Sequence, residues 1–121
     1  MSSCTSLEVL HLQGNALTLV PAFFSSLTKI RELNLSYNKI TDLPDLQPLL
    51  NLQLLNLSQN CLSTNLQLPP NVKTLHLSKN QFTCFPSIKN VAQLEYLDIS
   101  KNKMTALPVE LLELQNLIEL Y

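Results

Sequence analysis

One pattern recurs along this chain at a near-constant interval, and it dictates what the chain can fold into. An aliphatic residue is followed three and five positions later by two more, and eight positions later by asparagine: Leu7, Leu10, Leu12 and Asn15. The same set returns as Ile30, Leu33, Leu35 and Asn38, and again as Leu52, Leu55, Leu57 and Asn60. Val72, Leu75, Leu77 and Asn80 form a fourth copy, and Leu94, Leu97, Ile99 and Asn102 a fifth. A partial sixth begins at Leu117 and Leu120, so successive copies stand 23, 22, 20, 22 and 23 residues apart. Self-similarity at such a period marks a stack of like units, none of which can bury its apolar face alone.

Other columns keep the same step. Leu17, Ile40, Leu62, Phe82 and Met104 stand two residues after each asparagine. Phe24, Leu46, Leu66, Ile88 and Leu111 stand six before each following copy, and Leu27, Leu49, Pro69, Val91 and Leu114 three before. Within the motif, alternation of faces along a strand turns Leu10 and Leu12 one way and His11 the other. The segments from Pro21 to Thr28 and from Pro108 to Gln115 suit one or two helical turns, with proline at the first helical position, where its missing N–H costs nothing. Leu68-Pro69-Pro70, in the shortest copy, forbids a regular helix, and an extended segment is expected there.

These residues place the chain in resemblance to the leucine-rich repeat superfamily, with repeats of 20–23 residues across essentially its whole length. The resemblance implies an α/β solenoid, a right-handed horseshoe. Its concave face is a parallel β-sheet, and its convex side is made of short helical, 3-10 or extended segments. It also implies a structural ladder of Asn15, Asn38, Asn60, Asn80 and Asn102, whose amides can both accept from and donate to backbone groups that must find partners. Residues 1–121 read as a single repeat domain. The pattern is already under way at the start and unfinished at the end, so a portion of a longer repeat protein is expected, flanked by repeats or domains of the same parent.

Composition narrows the function. Eight basic against nine acidic residues give a net charge of −1, which provides no electrostatic footprint for nucleic acid. Without a run of about 18 apolar residues, no segment is expected to insert into a membrane. Three cysteines, Cys4, Cys61 and Cys84, lack metal-site spacing, and they read as small apolar residues in a reducing compartment. With Leu107-Pro108-Val109-Glu110-Leu111, they make the chain similar to intracellular scaffolds and Roco-type proteins, and a cytoplasmic setting is expected. The short copy around Leu68-Pro69-Pro70-Asn71-Val72 instead resembles Toll-like receptor ectodomains, which are extracellular. Asn34-Leu35-Ser36 and Asn56-Leu57-Ser58 match glycosylation sequons, but that triplet is nearly written into the repeat itself.

Variable positions between the leucines should line the concave face in columns, because adjacent strands lie about 4.8 Å apart. One column reads Val9, Glu32, Leu54, Thr74, Tyr96 and Glu119, and the next His11, Asn34, Asn56, His76 and Asp98. Beyond them come Gln13, Ser36, Ser58, Ser78 and Ser100, then Gly14, Tyr37, Gln59, Lys79 and Lys101. Val9, His11, Glu32, Asn34, Tyr37, Leu54, Asn56, Thr74, His76, Tyr96, Asp98 and Lys101 are the candidate partner-binding residues, with Tyr96, Leu54 and Val9 as anchors. Catalysis is not expected. His11 and His76 stand three strands apart, roughly 14 Å, and the chain's one glycine, Gly14, cannot form a phosphate cradle. No cofactor or metal site is expected either. The function expected is recognition of a protein partner, as part of a scaffold or signalling protein. The alternatives are a piece of a receptor ectodomain, or a spacer packed on other domains of its parent.

Overall fold

The computed structural model describes residues 6–63, 68–83, 93–103 and 119–120. Each copy of the motif supplies one short strand: β1 (Val9–His11), β2 (Glu32–Asn34), β3 (Leu54–Asn56), β4 (Thr74–His76), β5 (Tyr96–Asp98) and β6 (Glu119–Leu120). They form one six-stranded sheet in sequence order, every neighbouring pair parallel. The register aligns equal motif positions, for example Leu10 with Leu33, Leu33 with Leu55, Leu55 with Leu75 and Leu75 with Leu97. Parallel neighbours need a long crossover, and the 17 to 20 residues between successive strands provide it. The fold is a parallel-sheet solenoid, as the repeat requires.

The leucines of the motif fill the interior. Leu33, Leu35, Leu52, Leu55, Leu57, Val72, Leu75, Leu77, Leu94 and Leu97 are all fully buried. Phe24, Leu27 and Ile30 lie on the crossover side of the same core, as do Leu46 and Leu49. Their spacing of three has a local cause. Leu27 N–H donates to Phe24 O at 3.1 Å and Ile30 N–H to Leu27 O at 3.1 Å, and the next copy repeats this from Leu49 to Leu46 and from Leu52 to Leu49. Three residues per turn bring positions three apart onto one side. A 3-10 helix over Ala22–Ser26 formalises this turn. Pro21 is its N-cap rather than its first helical residue, because its extended backbone (φ −60°, ψ 148°) lies outside the helix. Leu68 and Pro69 are buried and outside any helix, in keeping with the paired prolines.

Several expected features lie outside the described residues: Leu66, Ile88, Val91, Met104, Leu111 and Leu114 of the apolar columns, the segment Pro108 to Gln115, Leu117, and both Cys4 and Cys84. Cys61 is a free thiol.

The asparagines join each copy to the one before it. Asn60 Nδ2 donates to Leu57 O at 3.0 Å in its own copy and to Leu35 O at 3.0 Å in the preceding one. Its Oδ1 accepts the Ile40 N–H at 3.1 Å. Asn80 repeats the arrangement with Leu77 O, Leu57 O and the Leu62 N–H. Asn102 does so with Ile99 O, Leu77 O and the Phe82 N–H. Asn38 takes Leu35 O and Leu12 O and accepts from both the Asn15 and Leu17 N–H groups. Asn15, exposed, donates only to Leu12 O and Gln13 O. One amide thus satisfies two carbonyls and a donor that the turn would otherwise leave buried and unpaired.

Candidate functional site

The face of the sheet opposite the leucines carries the variable columns. Register puts Val9, Glu32, Leu54, Thr74, Tyr96 and Glu119 in one row across the strands, and His11, Asn34, Asn56, His76 and Asp98 in the next. The strand residues of these rows on β2 to β5 are half-buried, while the leucine between each pair is buried. Val9 is 39% exposed and Tyr37 59% exposed, so apolar and aromatic surface is available at this face and its rim.

The structure changes the reading of two columns. The serines do not line an open surface: Ser36 is buried, and Ser58, Ser78 and Ser100 are half-buried. Three of them close a turn onto the strand residue two positions earlier. Asn34 Oδ1 accepts from the Ser36 N–H at 3.0 Å and from Ser36 Oγ at 2.7 Å. Asn56 Oδ1 takes Ser58 at 3.1 and 2.8 Å, and Asp98 Oδ1 takes Ser100 at 3.0 and 2.7 Å. The Asn-Leu-Ser triplet is therefore a strand-ending Asx turn. The residue after each serine takes the left-handed conformation: Tyr37, Gln59, Lys79 and Lys101 have φ between 55° and 57°, and Gly14 has 72°. The backbone turns outward there and carries Tyr37 and Lys101 to the rim.

At the strand entry lies a feature that the motif columns did not single out. Arg31, Gln53, Lys73 and Glu95, each one residue before its strand, line an open groove of about 360 Å³ together with Glu32, Leu54 and Thr74. The carbonyls of Glu8, Arg31, Gln53 and Lys73 each accept two N–H groups from the next copy; Arg31 O, for instance, accepts from Gln53 at 2.9 Å and Leu54 at 3.1 Å. A sequence signal existed: the second motif position is polar in five successive copies, Glu8, Arg31, Gln53, Lys73 and Glu95. Glu8 and Arg31 form the one ion pair among the described residues, at 2.9 Å and more than half exposed. Being exposed, it adds little stability.

His76 sits between Asn56 and Asp98 in its row, with its ring 4.9 Å from that of Tyr96 and tilted by 48°. Burial holds its imidazole below the ordinary histidine pKa, and the Asp98 carboxylate opposes that only in part. The ring is therefore neutral at neutral pH. No cluster of three His, Cys, Asp or Glu side chains among the described residues could hold a metal ion. No helix among them is long and apolar enough to cross a membrane. The chemistry this face provides is that of contact: two aromatic or imidazole rings, aliphatic surface, and amide and carboxylate groups of fixed orientation.

Comparison with known proteins agrees with the architecture. A family model described as leucine-rich repeats (two copies) matches residues 5–48. Over 57 residues, 47% of this chain, the sequence is 37% identical to Toll-like receptor 10 of Bos taurus, of which the matched stretch is 7%. The crystal structure of internalin C2 from Listeria monocytogenes superimposes on 99% of the chain with a TM-score of 0.87 at 22% identity. The chain covers 53% of that protein, and at this identity the likeness is one of fold. Motif spacing, strand register and these matches agree: the chain is similar to leucine-rich repeat proteins, by family model over residues 5–48 and by fold across the described residues.

Proposed function

We propose that this chain is a non-catalytic protein-binding module whose partner lies on the exposed face of the sheet. The observation that carries the reading is the register: equal motif positions stack across β1 to β6, so residues that vary between copies share one surface while the leucines hold the core. Leucine-rich repeats generally mediate contact between proteins, and nothing in the site points to a reaction. Val9, His11, Glu32, Asn34, Leu54, Asn56, Thr74, His76, Tyr96 and Asp98 form the contact surface, with Tyr37 and Lys101 at its rim. Leu54 and Tyr96 are the anchors: a tyrosine buried at an interface often carries a large share of the binding energy, and Leu54 adds apolar surface in the same row.

An intracellular scaffold or signalling protein is the setting we favour, in keeping with the free thiol of Cys61. The stretch of likeness to a Toll-like receptor supports a second setting, a segment of a receptor ectodomain. The test is to compare partner retention by the unaltered chain, by the Leu54→Ser, Tyr96→Ser double variant, and by a Leu50→Ser control outside the strands. Retention lower by at least tenfold in the double variant alone, with an unchanged circular dichroism spectrum, is expected. Equal retention by all three contradicts the placement.

A further inference from the structure

The strand-ending turns fix more than the backbone. In β5 the two Ser100 bonds both fall on Asp98 Oδ1. That pins the carboxylate and leaves its second oxygen, Oδ2, without a partner among the described residues. Tyr96 stands two residues earlier on the same face of the strand, about 6.6 Å along it. The two side chains are half-buried neighbours on the exposed face. Its ring is braced from β4 by His76 at 4.9 Å. An aromatic ring and a carboxylate held at this separation match a guanidinium, which is planar, stacks on rings and forks onto carboxylates.

We propose that Tyr96 and Asp98 form the seat for an arginine side chain of the partner protein. This rests on the reading of the sheet face as the binding surface and gives that surface a chemical specificity. The guanidinium lies across the Tyr96 ring and donates to Asp98 Oδ2. Among the described residues no side chain forms an ion pair with Asp98: the one such pair is at the far end of the sheet, and the imidazole beside Asp98 is neutral at neutral pH. Three lysines flank the two rows: Lys73 lies at the entry of β4, and Lys79 and Lys101 stand past the serine column. They disfavour a run of basic residues, so the partner presents one arginine here. A metal cation is a poor alternative, since the described residues offer no cluster of three ligands.

The repeat supplies variants that keep the turn intact. Asn34 and Asn56 close the same turn with an amide in place of the carboxylate, so Asp98→Asn removes the charge and keeps the fold. Leu54 occupies the Tyr96 position two strands away, so Tyr96→Leu is equally native to the repeat. The experiment is a titration of the 15N-labelled chain with N-acetyl-arginine amide at neutral pH, followed by amide chemical shifts. Saturable shifts centred on His76, Tyr96 and Asp98 are expected, with affinity at least fivefold weaker in each variant and for N-acetyl-lysine amide. Absence of saturable shifts, or equal affinity in Asp98→Asn, overturns the seat. The two proposals fail separately. If the arginine probe is ignored while Leu54→Ser alone still weakens partner retention, the face stands and the seat falls. If the arginine probe is ignored and Leu54→Ser leaves partner retention unchanged, both fall.

Discussion

Among single residues, the motif asparagine does the most for this fold. Asn60 satisfies Leu35 O, Leu57 O and the Ile40 N–H at once, inside the protein. Replacing it by alanine leaves buried groups unpaired and should cost about 2–4 kcal/mol. Asn15→Ala, at an exposed position with bonds to its own turn only, should cost under about 1 kcal/mol. Urea unfolding of the two variants checks the contrast, and equal losses would show that the inter-repeat bonds are not what matters. The left-handed column makes a second test. Gln59 has φ 55°, so Gln59→Gly should be neutral or stabilising by up to about 1 kcal/mol, whereas Gln59→Val should destabilise by more than that. His76 gives a pH signature. Its folded pKa lies below its unfolded value, so the unfolded chain binds the proton more readily. The stability associated with neutral His76 is present above the unfolded value near 6.5 and is lost as pH falls through the lower folded value. His76→Asn, the residue that Asn56 already places in this row, should flatten that part of the stability curve between pH 7.5 and 5, as read by urea midpoints.

At the level of strands and turns, the sequence was legible wherever a position repeats for a structural reason. The leucine columns gave the strands and their register, because a slip of one residue would turn every leucine outward. The asparagine column stood out because its bonds recur in each copy. Positions where the constraint is local geometry were harder to see. Ser36 reads as a surface residue until its hydroxyl is found on Asn34 Oδ1, and nothing in the spacing of Tyr37 announces φ 57°. The entry groove escaped because its members, Arg31, Gln53, Lys73 and Glu95, share polarity but no residue type. In the crossovers, the apolar spacing from Pro21 to Thr28 indicated one or two helical turns, while the 3-10 form of the turn and proline's place at its N-cap followed only from the backbone. Packing at this level predicts that Leu55→Ala, on a fully buried side chain in a central strand, costs about 2–5 kcal/mol by leaving a cavity.

For the whole molecule, stability passes from copy to copy through neighbouring interfaces, as in other one-dimensional stacks. Leu33 and Leu55 are fully buried, while Leu10 of β1 is only half-buried. Hydrogen exchange should therefore show weaker protection for amides in β1 than in β2 to β4, and uniform protection would speak against this local accounting. The same stacking that divides stability brings residues some 20 positions apart in sequence side by side on one face, the proposed binding surface. The most direct test of that claim is site-specific photocross-linking in cells, with a benzophenone amino acid at Leu54 on the face or at Leu19, an exposed residue outside the strands. A cross-linked protein partner from position 54 and none from position 19 is the result expected. A partner captured from position 19 alone would contradict the account.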